Sequence, residues 1–143
     1  MTITSYRDLD VYQRSMQALV ASHKMVLAFP DYERFALADQ VRRASRSIPT
    51  NIAEGYGRRK SVKDFKHFLA IALGSSNEMI VHLEITRELG YMDADQCNKL
   101  IEDYTAICKM LYRLSERWRS FPAANRERPD ENRAPDDPFG SDL

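Results

Sequence analysis

The stretch Leu37-Ala38-Asp39-Gln40-Val41-Arg42-Arg43-Ala44-Ser45-Arg46-Ser47-Ile48-Pro49-Thr50-Asn51-Ile52-Ala53-Glu54-Gly55 decides the fold. Leu37, Val41, Ala44, Ile48, Ile52 and Gly55 recur at steps of three and four. That period places them on one face of an α-helix. Pro49 sits inside the stripe. Proline removes one helical hydrogen bond and usually kinks the helix around it. The apolar period continues across it, so the expectation is one kinked helix over about 32–56, not two. Gly55 and Gly57 are the expected stop.

Three more segments share this period. In the first, about 9–29, Leu9, Tyr12, Met16, Leu19, Val20, His23, Val26 and Leu27 form the expected stripe, and Pro30 ends it. The third opens on Ser61-Val62-Lys63-Asp64, which resembles a capping box, and closes at Gly90, a natural left-handed cap. Its stripe is Phe65, Leu69, Ala72, Ser76, Met79, Leu83 and Thr86. Phe68, Ile71, Leu73, Val81 and Ile85 lie off that stripe. A helix apolar on more than one side needs cover on more than one side, which predicts a contact with another subunit. The fourth runs from Asp93, with Gln96 completing a capping box, to about Ser120. No segment alternates with the period of a strand. Short connections between long helices predict an all-α, up-down-up-down antiparallel four-helix bundle.

The chain has 143 residues, 43% hydrophobic and 29% charged, which suits one globular domain. That domain is expected over 1–120. From Phe121 the composition turns to Pro122, Pro129, Pro135 and Pro138 among polar and charged residues. Residues 121–143 therefore read as a flexible, acidic, proline-rich tail. No apolar run approaches a membrane span, and the N-terminus lacks the features of a signal peptide. Cys97 and Cys108 stand too far apart on one helix for a disulfide and read as reduced core residues. A cytoplasmic location follows as an expectation.

The formal net charge is zero, but it is unevenly spread. From Arg34 to His67 nine basic residues face three acids, and from Phe121 onward three arginines face six acids. Candidate nucleic-acid-binding residues are Arg42, Arg43, Arg46, Arg58, Arg59, Lys60, Lys63 and Lys66. Arginine and lysine neutralise phosphates and release counterions. The turn Gly57-Arg58-Arg59-Lys60-Ser61 could also hold a phosphate at the start of helix three, with His67 nearby. The plainer alternative ties the arginines up in ion pairs, within the bundle or between subunits.

Catalytic and metal constellations are not evident in the sequence. A di-iron bundle needs Glu-x-x-His motifs, and the nearest pair is Glu78 with His82, spaced by four, which reads as a helix-stabilising polar pair. Gly55-Tyr56-Gly57 is neither a dinucleotide fingerprint nor a Walker motif. His23 reads as a buried, satisfied core histidine. No enzyme activity, metal or cofactor is expected.

Several runs resemble a known family. They are Phe29-Pro30 with Glu33, then Gln40-Val41-Arg42-Arg43-Ala44, then Ser47-Ile48-Pro49-Thr50-Asn51-Ile52-Ala53-Glu54-Gly55 with Arg58. Phe65, Phe68-Leu69, Ile71-Ala72, Gly74-Ser75-Ser76 and Glu78 continue the pattern, and Tyr6-Arg7-Asp8-Leu9-Asp10-Val11-Tyr12 fits its opening. Over about 5–118 the chain resembles the bacterial four-helix bundle proteins encoded by intervening sequences of large-subunit ribosomal RNA genes. A related branch is the accessory protein of diversity-generating retroelements. The resemblance implies a homopentamer, and possible partners in RNA, DNA, a reverse transcriptase or another protein. It makes Arg42, Arg43 and Arg58 candidates for nucleic-acid or intersubunit contact. The expectation is a non-enzymatic oligomeric bundle that binds nucleic acid or a nucleoprotein through a basic surface. The alternative is a protein-interaction scaffold whose arginines form intersubunit ion pairs.

Overall fold

The computed structural model describes residues 2–125, and the acidic stretch beyond Asn125 lies outside the described residues. Four helices carry the fold: α1 (Asp10–Met25), α2 (Leu37–Gly57), α3 (Val62–Glu88) and α4 (Ala94–Asn125). Short 3-10 turns occupy Tyr6–Asp8, Val26–Ala28 and Asp31–Glu33. There is no strand among the described residues.

Each helix meets its neighbours start to end. Gly55 near the end of α2 lies against Phe65 and Phe68 near the start of α3. Trp118, late in α4, stacks on Phe65 with ring centroids 4.1 Å apart. Arg87, late in α3, donates to Asn98 early in α4 at 2.7 Å. Asp8–Val11 and Arg113–Arg117 line one groove between α1 and α4, while Lys24 and Met25 share another with Met92 and Gln96. These pairs give an up-and-down bundle whose core is Val41, Ile48, Ile52, Phe65, Leu69, Met79, Leu83, Tyr104, Ile107, Leu111 and Trp118.

The helix limits differ from the sequence reading in instructive ways. Helix two begins at Leu37, not Tyr32, because Pro30 starts a 3-10 turn and Ala36 leaves helical geometry at φ −115, ψ −105. Tyr32 and Phe35 in this segment are exposed, so no buried face drives it into helix. α2 then passes through Pro49 as one continuous helix. Thr50 and Asn51 donate side-chain hydrogen bonds back to the carbonyls of Arg46 and Ser47. Gly55 is not a stop: it is helical and buried, and α2 runs on to Gly57. α4 continues five residues past Ser120, through Pro122, into the stretch expected as tail.

The caps follow the sequence more closely. Gly90 adopts φ 71, and Tyr91 N and Gly90 N donate to the carbonyls of Thr86 and Arg87. That is a Schellman motif. Ser61 caps α3 by accepting from Asp64 N at 3.1 Å. Its own N–H goes to Arg58 O, not to Asp64, so the capping box is half formed. Asp93 accepts from Asp95 N in the same manner at the start of α4.

α1 is rotated from the expected stripe. Its buried face is Val11, Ser15, Ala18, Ser22 and Met25, while Met16, Val20 and Leu27 are exposed. Serine can be buried here because each hydroxyl is satisfied. Ser15 donates to Tyr12 O and Ser22 donates to Ala18 O. Ser22 Oγ also lies 2.7 Å from the Tyr104 hydroxyl. With its only proton given to Ala18 O, Ser22 must accept, so Tyr104 is the donor. Burial pushes the Tyr104 hydroxyl up to about 12, so it keeps that proton.

α3 is long and apolar enough, by length and composition alone, to cross a membrane. Its stripe from Phe65 to Thr86 is buried between α2 and α4. Ile71, Val81 and Ile85 on its other side remain exposed, as do Leu89 beyond it and Phe35 before α2.

The Gly55 approach can be tested by substitution. A Cβ there would stand 2.9 Å from Phe68 Cβ, whereas one at Gly57 meets nothing within 4 Å. Gly55→Ala is expected to lower stability by about 1–3 kcal/mol through overpacking. Gly57→Ala is expected to be neutral or to stabilise by up to about 1 kcal/mol. Urea denaturation of both variants checks the contrast; equal effects would remove Gly55 from the packing argument.

Candidate nucleic-acid interface

The eight basic side chains singled out by sequence do not form one surface. They fall into two clusters joined by the middle of α2. The first lies on its first three turns. Arg42 folds inward, donating from Nη2 to Arg34 O at 2.8 Å, and stands 3.8 Å from Asp39. Arg43 places Nε 3.1 Å from the other oxygen of Asp39 while its side chain stays 75% exposed. Arg46 is exposed and donates from Nε to Arg42 O at 3.1 Å. One carboxylate therefore serves two arginines, leaving the cluster net positive. Exposed pairs of this kind are worth about 0.3–0.5 kcal/mol, so a stronger anion can displace them.

The second cluster surrounds the turn between α2 and α3, about 18 Å along the axis from Arg46 at 1.5 Å per residue. Arg58 pairs with Glu54 at 3.2 Å and lies over the Phe68 ring at 5.3 Å. Arg59 lies over the Tyr56 ring at 4.1 Å and donates to Tyr56 O at 3.0 Å. Lys60 and Lys63 are exposed and form no ion pair with any described residue. Lys66 is half-buried, and His67 is exposed beside Phe68. The start of α3 is capped by Ser61, with Asp64 in its first turn. An anion there meets lysine side chains more than bare helix amides.

The topology gathers further charge at this end. Because neighbouring helices run in opposite senses, the turn shares its end with the start of α1 and the later half of α4. Lys109, Arg113 and Arg117 follow one another at steps of four there. Residues 2–16, 49–74 and 107–118 hold ten basic and five acidic side chains. The opposite half, residues 17–48 and 75–106, holds seven basic and ten acidic ones. The bundle is polarised along its axis. The i, i+4 spacing in α4 is a legible sequence signal of this, which a charge count over the middle segment misses.

No grouping of three or more His, Cys, Asp or Glu side chains suited to a metal ion occurs among the described residues. Glu78 and His82 form a polar pair, with His82 Nε2 2.9 Å from Glu78. Burial raises the Cys97 and Cys108 thiols above their ordinary range, and neither forms a disulfide.

The model of the family described as 23S rRNA-intervening sequence protein matches residues 7–113, which span both clusters. The chain belongs to that family. Among solved structures it is similar to a protein of unknown function from the S23 ribosomal protein family of Bacteroides thetaiotaomicron. The two share 28% identity with a TM-score of 0.65, over 73% of this chain and 97% of the other. No curated protein matches. The family match stops short of Arg117 and of the acidic stretch.

His23 departs from its sequence reading. It is half-buried, and its Nε2 is buried with no hydrogen-bond partner in the described residues. Desolvation, followed by the positive charges of Arg46 and Arg42, pulls it below its ordinary value of 6.5. The folded state thus favours neutral His23. The unfolded chain binds the extra proton first as pH falls, so this contribution is complete above about 6.5 and declines below it. His23→Gln is expected to flatten the pH dependence of the urea midpoint between about pH 5 and 7. An unchanged profile would show that His23 does not titrate against the two arginines.

Proposed function

We propose that this member of the family is a non-catalytic, homo-oligomeric bundle that binds RNA through its basic end. The observation that carries the reading is the excess of basic groups there, with Lys60 and Lys63 exposed and free of ion pairs to any described residue. Phosphates would meet these lysines directly and compete with Glu54 for Arg58. Arg43 and Arg46 add a second contact further along α2, after Asp39 is displaced. Arg42, turned onto Arg34 O, contributes charge more than contact.

The reading includes assembly. Ile71, Val81 and Ile85 on α3, with Met16 and Val20 on α1, leave apolar surface uncovered in the single chain. The resemblance to intervening-sequence bundles supports a homopentamer in the cytoplasm. Repetition of the basic end around a ring would turn modest single-site affinity into avidity. DNA, or a reverse transcriptase or other protein bound with its nucleic acid, would use the same surface.

A scaffold that binds only protein is favoured by one feature. Asp39 and Glu54 already hold Arg42, Arg43 and Arg58. Salt dependence separates the two readings. The full chain is expected to bind a structured RNA at low ionic strength with affinity that falls steeply with salt. Lys60→Gln with Lys63→Gln should reduce the log–log slope by roughly 0.7–0.9 for each phosphate no longer neutralised. Lys24→Gln with Lys99→Gln, in the half with the acidic excess, should leave it unchanged. Absence of salt-dependent binding in the unmodified chain would sink the nucleic-acid reading in favour of the scaffold. Native mass spectrometry reads the oligomeric state, with five copies expected.

A further inference from the structure

The charge of the whole chain cancels only because two unlike parts are summed. Residues 2–118 carry seventeen basic and fifteen acidic side chains. The segment 130–142 carries Asp130, Glu131, Asp136, Asp137 and Asp142 against the single Arg133. Where this segment leaves the bundle decides which surface it can meet. Trp118 stacks on Phe65 at 4.1 Å, close to the start of α3 and hence to the basic turn. α4 carries the chain seven residues further, to Asn125, about 10 Å along its axis. The acidic segment is thus tethered at the end that holds ten basic and five acidic side chains. The other end has an acidic excess and is about 40 Å away along α3.

We propose that the acidic segment 130–142 docks on the basic end of its own bundle, over Lys60 and Lys63, and competes there with polyanions. Asp136 lies eleven positions beyond Asn125. Extended, that length of chain spans at most about 36–40 Å, several times the distance α4 has moved beyond Trp118. A tether this short gives an effective concentration in the millimolar range. That concentration raises the occupancy of a cluster of individually weak, exposed ion pairs at low salt above what the same segment free in solution would reach. Lys60 and Lys63 are the natural receptors, being exposed and without an ion pair to any described residue. The segment acts as an internal competitor that sets how strong a polyanion must be to displace it. The docking stands by itself; only its use as a brake on RNA rests on the proposed function.

Zero-length carbodiimide cross-linking of the full chain, without nucleic acid, tests the docking. At about 50 mM salt, Lys60 or Lys63 is expected to link to Asp130, Glu131, Asp136 or Asp137. At about 500 mM salt, where screening shortens to a few ångströms, those links should fade. A mixture of isotopically labelled and unlabelled chains should show them within one copy. Links mainly between copies, or equally to Lys24 and Lys99 in the opposite half, would overturn the proposal. Competition is read with heparin as the polyanion. The full-length variant Asp130→Asn, Glu131→Gln, Asp136→Asn, Asp137→Asn should bind it more tightly, by up to about twofold, at 50 mM salt. Variant and parent should converge at 500 mM salt. Equal affinities at low salt would refute the competition. A chain that forms the cross-links and yields heparin competition, yet ignores RNA, defeats the nucleic-acid reading and upholds this one.

Discussion

The seating of Phe65 is the contact on which the rest of the bundle hangs. Its ring is fully buried, stacked on the Trp118 indole and lying beside Gly55. Three helices meet there. Only a residue without a side chain lets α2 approach α3 this closely, since a Cβ would stand 2.9 Å from Phe68 Cβ. The close approach leaves only Arg58–Ser61 to turn the chain, and those four residues include three basic ones. Packing and charge are therefore coupled. The glycine that closes the core also sets the basic turn beside the end of the bundle where Phe65 meets Trp118.

A second constraint operates along α1. Small hydroxyl residues line its buried face, each returning a hydrogen bond to its own helix. Such residues cost little to bury because their polar atoms are satisfied, and they let helices approach. Ser45, Ser76 and Thr86 repeat the device on α2 and α3. The larger apolar residues of α1 are displaced outward as a result. The surface thus carries Met16, Val20 and Leu27, which a stripe based on side-chain size assigns to the core. The bundle hides small groups and shows some large ones.

Charge follows topology more than it follows composition. The arginines of α2 are near Asp39 and Glu54 because the i, i+3 and i, i+4 spacings of a helix put them there. Lys60 and Lys63 sit in the turn and in the first turn of α3, and neither forms an ion pair with a described acid. The excess at this end arises from two separate segments, 49–74 and 107–118, that antiparallel packing brings level, while residues 2–16 hold two charges of each sign. A linear charge count finds the middle segment and misses the contribution of α4.

By itself the sequence determined the four helices, their order, the buried stripes of α2 and α3, the Gly90 cap and the family. Those depend on local period, on capping chemistry and on a long specific signature, all of which are written in consecutive residues. The tertiary structure decided which face of α1 is buried, because that turns on how closely a neighbour approaches and not on how apolar a side chain is. It also decided where α2 begins, that Gly55 is a packing site and not a stop, and that the eight basic residues form two clusters. The buried face of α1 and the packing of Gly55 on Phe68 are relations between residues distant in the chain. Such relations take shape only when the helices are laid against one another.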